Sequence, residues 1–98
     1  MARGRPNKNN EDKLVILHQK FWIWDEVFEE PREVEIVRRL VNERNEFICW
    51  DALEVKARGS NGKRFYHQIY STNQLFSTKK ALCQHYIEMF ERFINKED

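Results

Sequence analysis

Apolar positions along the chain change period several times, and each change marks an expected element. From Glu11 to about Glu30, Leu14, Leu17, Phe21, Trp24 and Phe28 recur at helical spacing, with Val15, Ile16, Trp22 and Ile23 widening the stripe. This predicts a first helix, although the run Phe21-Trp22-Ile23-Trp24 is rich in strand formers and keeps a strand open. Pro31 suits the first turn of a second helix, to about Asn45, with Val34, Val37, Leu40 and Val41 on one side. From Phe47 to Arg58 the period drops to two: Phe47, Cys49, Leu53, Val55 and Ala57 share one face.

A turn at Gly59-Ser60-Asn61-Gly62 separates this strand from a second, Arg64 to Ser71. A three-residue loop with Gly62 in the left-handed region pairs Ala57 with Phe65, Val55 with His67 and Leu53 with Ile69. That register puts all six on the core face and is preferred, because a one-residue slip exchanges the faces. Ser77 caps a last helix, about Thr78 to Asn95, with Ala81, Leu82, His85, Tyr86, Met89, Phe90, Phe93 and Ile94 as its stripe. The expected fold is α+β: two N-terminal helices, a β-hairpin and a C-terminal amphipathic helix, an order compatible with a winged-helix arrangement. Residues 1–10 have no apolar periodicity and read as a basic arm, leaving 11–98 as a single domain.

Composition narrows the class. With 41% hydrophobic and 13% aromatic residues the chain can fill a core, which a disordered polymer could not. No apolar run approaches the ~20 residues that span a bilayer, so no membrane role is expected. Two cysteines, Cys49 and Cys83, lie in apolar segments and read as free thiols of an intracellular protein. The spacing of His18, His67, His85, Cys49 and Cys83 fits no zinc finger or ribbon, so no metal or other cofactor is expected. No nucleophile elbow or phosphate-cradling glycine loop occurs, and a binding role is expected rather than an enzyme acting on a small molecule.

The net charge of +1 conceals segregation. Residues 1–10 carry Arg3, Arg5 and Lys8 with no acid; residues 11–50 carry six basic and ten acidic side chains; residues 51–70 carry four basic and two acidic. Arg3-Gly4-Arg5-Pro6 resembles the core of an AT-hook, a short minor-groove motif, with Ala2 where that family usually has proline. The resemblance implies that Arg3 and Arg5 enter the groove of AT-rich DNA on either side of Gly4, with Pro6 and Lys8 beyond. A narrow A·T groove has enhanced negative potential, which agrees.

A hook this short needs a second contact on the same chain. The hairpin offers Lys56, Arg58, Arg64, Tyr66, Gln68 and Tyr70 on its expected outer face and Lys63 at its tip, with Lys79 and Lys80 opening the next helix. A two-stranded ribbon fits a major groove, and tyrosines stack on unpaired bases. The run from Trp50 to Tyr86 also resembles hairpin-then-helix DNA readers such as methyl-CpG-binding domains, through Gly62-Lys63-Arg64 and Phe76-Ser77-Thr78-Lys79. Ser77 stands where those readers usually place arginine.

The expected function is a small DNA-binding accessory or regulatory protein favouring AT-rich duplex. The alternative is a protein–protein adaptor or homodimeric module. It would use an exposed tryptophan, the acidic stretch 25–35, or the final helix as a dimer seam.

Overall fold

The computed structural model describes residues 15–96. Its core is a four-stranded antiparallel sheet in chain order: β1 (Lys20–Asp25), β2 (Glu30–Val41), β3 (Phe47–Glu54) and β4 (Tyr66–Ile69). A 3-10 turn, Thr72–Gln74, leads back to the β1 side. The chain ends in one helix, α1 (Lys79–Lys96). The α+β class, the β3–β4 hairpin and the C-terminal helix stand. The two N-terminal helices do not, and with them goes the winged-helix arrangement.

The first expected helix is replaced by β1, whose Phe-Trp-Ile-Trp run carries its β propensity into a strand. The second is replaced by the long strand β2. There Val34, Ile36, Val37 and Val41 are β-branched, and side-chain branching suits a pleated surface. A register shift between Ile36 and Arg38 leaves Val37 unpaired. This bulge breaks the alternation and leaves apolar residues at a spacing that imitates a helix.

Short side chains shape the turns. Asp25 Oδ1 accepts from the Val27 and Phe28 N–H groups at 3.0 and 3.3 Å, bending the chain between β1 and β2. Asn42 Oδ1 accepts from Arg44 and Glu46 N–H at 2.8 and 3.0 Å, while Asn45 adopts φ 66°. The loop Glu43-Arg44-Asn45 is thus the three-residue hairpin connection that had been expected one hairpin later. Between β3 and β4 the Arg58 N–H donates to the Lys63 carbonyl at 2.6 Å, closing a four-residue loop with Gly59 at φ 64° and Gly62 at φ 74°.

One sheet face holds the core: Ile23, Val34, Ile36, Trp50, Ala52 and Ile69, with Val15, Phe21, Phe47 and Leu75 packed against it. Between Leu40–Cys49 and Val41–Phe47 the register shifts again, inserting Ile48. That extra residue flips the parity of β3. Phe47 still packs on the core, but Trp50, Ala52 and Glu54 follow it inward in place of Leu53, Val55 and Ala57. The β3–β4 pairs are accordingly Trp50–Ile69, Ala52–His67 and Leu53–Tyr66 rather than the expected set.

The outer edge of β1 is covered. Trp22 and Phe76 exchange backbone hydrogen bonds of 2.7 and 3.0 Å. From there α1 packs against β1 and β2, with Leu82 buried, Tyr86 on Trp24 at 5.1 Å between ring centroids, and Lys79 over the Trp22 ring. Trp22 and Trp24, which on a helix would have diverged, share one side of a strand. Thr78, one residue past the expected Ser77, caps α1 by accepting from the Ala81 N–H at 3.0 Å. No helix of the described residues is long and apolar enough to cross a membrane.

Candidate functional site

The residues expected to meet DNA fall into three groups. Arg3, Gly4, Arg5, Pro6 and Lys8 lie outside the described residues. Lys56, Lys63, Arg64, Tyr66, Lys79 and Lys80 are all exposed. Arg58 is not: it is mostly buried, in the interior of an ionic network. Placing it on the outer face is corrected by the β3 parity flip, which turns Glu54 inward and draws Arg58 after it.

That network is the densest chemistry among the described residues. Arg58 Nε donates to both Glu54 carboxylate oxygens at 2.9 and 3.1 Å, and Nη2 bridges Glu54 and Asp25. His67 Nε2 lies 2.8 Å from Glu54 Oε2. The Phe28 and Phe65 rings flank the guanidinium at 4.4 and 4.8 Å, a cation–π sandwich. Arg58 Nη1 is buried without a hydrogen-bond partner. Asp25 and Glu54 are 4% and 1% exposed, so two carboxylates are held inside and need this cation.

The titration behaviour follows from that geometry. Burial alone would raise both carboxyl pKa values. Hydrogen bonds from Arg58 and His67, with the Phe65 N–H, outweigh burial at Glu54 and lower it from 4.5 to about 2. At Asp25, Arg58 and the Phe28 and Val27 N–H groups likewise win, and the pKa falls below its ordinary value. The Glu54 hydrogen bond leads the opposite shift in Arg58, which is held more firmly protonated.

Asp25, Glu54 and His67 bring ligand atoms within 4.8 Å of one another, a spacing that suits a metal ion. The Arg58 guanidinium is bonded to both carboxylates there and supplies the positive charge that a metal would bring. The set therefore reads as an internal staple tying the β1–β2 turn to β3, β4 and the hairpin loop. Above it lies a cleft of about 560 Å³ with Trp24, Phe28, Phe65, Tyr66 and Tyr86 in its walls and Asn73 and Gln74 at the 3-10 turn. Burial, and then Glu26, raise the Tyr86 hydroxyl pKa. Sequence reasoning missed Asp25 and Glu54. The one available signal was Glu54-x-x-x-Arg58, a carboxylate and a guanidinium on one short segment.

The other cations of the hairpin and the helix start are exposed and take no part in this network. Among the described residues, Lys56, Lys63, Arg64, Lys79 and Lys80 have no ion-pair partner. Arg32 is paired with Glu30, and Arg38 with Asp51 at 3.2 Å. Lys56 and Lys79 border one small groove beside Trp22, so hairpin and helix start meet there. Tyr66, Gln68 and Tyr70 alternate with the inward His67 and Ile69 and are exposed, the Tyr70 hydroxyl donating to Gln68 Oε1 at 2.9 Å. His85, expected in the core, is exposed and leans on the Phe76 ring at 5.2 Å.

No protein-family model, curated protein or solved structure matches this chain.

Proposed function

We propose that the chain is a DNA-binding module whose main contact is the β3–β4 hairpin together with the start of α1. The observation that carries this reading is that the five cations of the hairpin and the helix start, Lys56, Lys63, Arg64, Lys79 and Lys80, are all exposed without an ion-pair partner among the described residues; Lys20, Arg44, Arg92 and Lys96 are exposed and unpaired too, but lie outside those two segments. On the same molecule Arg32, Arg38 and Arg58 are neutralised by carboxylates. Unpaired cations exchange small counterions for phosphates, and the released counterions supply the affinity. Tyr66 and Gln68 add a stacking face and a hydrogen-bonding amide beside them.

The arm contributes the second contact. Arg3-Gly4-Arg5-Pro6, read by its resemblance to an AT-hook, gives the preference for AT-rich duplex, while the hairpin gives most of the charge. Arg58 has no part in DNA contact: it belongs to the internal staple.

The test is a salt titration of the intact chain against AT-rich, GC-rich and single-stranded oligonucleotides. AT-rich duplex is expected to bind best, with affinity falling steeply as salt rises. Lys63→Ala with Arg64→Ala is expected to weaken all three complexes about tenfold or more and to lower the salt slope by about 2. An unchanged slope would overturn the assignment of the hairpin.

A further inference from the structure

Helix α1 is amphipathic along its length, but it is used against the sheet near its start. Leu82 is buried and Tyr86 rests on Trp24. Beyond that point large apolar side chains face solvent: Ile87 is 50% exposed, Phe90 55%, Phe93 60% and Ile94 67%. Among the described residues nothing covers this stripe, which leaves it open to a second molecule.

The spacing identifies it. Cys83, Ile87, Phe90 and Ile94 recur at intervals of four, three and four, which is the d-a-d-a seam of a two-helix coiled coil. The seam is self-complementary under a two-fold axis between Ile87 and Phe90. A parallel pairing would press Lys79 and Lys80 against the same lysines of the second copy and align the two helix dipoles. An antiparallel pairing sends the lysines to opposite ends and opposes the dipoles.

The geometry points to a homodimer in which α1 pairs antiparallel with α1 of a second copy, Ile87 facing the partner's Phe90 and Cys83 facing the partner's Ile94. The four seam residues with Phe93 and flanking stems remove on the order of 1,000 Å² in total, the lower end for a specific interface, where association is weak and concentration-dependent.

Sedimentation velocity on the full chain from about 1 to 200 µM tests this. A concentration-dependent monomer–dimer equilibrium is expected. The double variant Ile87→Glu with Phe90→Glu is expected to stay monomeric with an unchanged far-ultraviolet spectrum, since both side chains are half exposed. A fold-preserving partner test is Ile94→Cys. Under mild oxidation it is expected to give a covalent dimer through Cys83 and the new thiol, whereas the native chain gives none through Cys83. In the antiparallel seam two copies of Cys83 lie roughly 16 Å apart along the axis, beyond disulfide reach. A chain that is monomeric throughout the range would overturn the dimer. A native Cys83–Cys83 disulfide would overturn its orientation.

Discussion

Arg58 shows how one side chain's surroundings decide its role. From sequence it is a hairpin cation like Arg64; in the structure it balances two buried carboxylates. Removing it leaves Asp25 and Glu54 buried without a counter-charge, so Arg58→Met is expected to cost about 3–5 kcal/mol in denaturant unfolding. Arg38→Ala breaks an exposed pair with Asp51 and is expected to cost under ~1 kcal/mol. Similar losses in the two variants would mean that the network is not a staple.

Acid stability follows from the same residues. The Glu54 pKa is depressed from 4.5 to about 2 on folding, so the unfolded chain takes up a proton first as pH falls. Its contribution is complete above about pH 4.5, shrinks between there and about pH 2, and is gone below. Asp25 acts in the same direction. The stability curve is expected to fall steeply over that window, by roughly 3 kcal/mol from Glu54 alone. Glu54→Gln is expected to be less stable at neutral pH and to show a flatter acid limb.

At the scale of elements, the parts legible in sequence were those with an undisturbed period. The α1 stripe runs without a break, and its helix was read to within a residue or so at each end. The β3–β4 hairpin was read from its turn, because Gly59 and Gly62 mark positive φ by residue type alone. What failed were β1, whose apolar run fits either period, and the two strands interrupted by bulges. The extra residues at Val37 and Ile48 shift the period of two, one disguising β2 as a helix and the other exchanging the faces of β3. Bulges are fixed by the partner strand, and one sequence does not show its partner.

Turns whose left-handed residue is not glycine were equally silent: His18 at φ 71°, Glu29 at φ 56° and Asn45 at φ 66°. Glu29 gives a direct check. A β-carbon in that conformation costs about 1–2 kcal/mol, partly offset by glycine's larger unfolded-state entropy. Glu29→Gly is expected to stabilise the fold by about 0.5–1 kcal/mol, raising the melting temperature by a few degrees. A lowered melting temperature would show that the Glu29 side chain holds the turn in another way.

At the scale of the whole molecule, charge is sorted rather than balanced. Along the chain the first ten residues, the hairpin and the helix start carry more base than acid, and two acids, Asp25 and Glu54, are neutralised internally by Arg58. Two positive segments on one chain act together only if both reach the same duplex, and then the second binds at the effective concentration set by the first. This makes a quantitative expectation. Arg3→Ala with Arg5→Ala and Lys63→Ala with Arg64→Ala each remove two cations, so each pair is expected to lower the salt slope on AT-rich duplex by about 2, and all four by about 4. The arm pair alone is also expected to erase the preference for AT-rich over GC-rich duplex, because the arm is proposed to read the narrow groove, while the hairpin pair weakens both duplexes alike. If the four-residue variant loses no more slope than one pair does, arm and hairpin do not engage the same DNA, and the two-contact reading fails even with each contact intact.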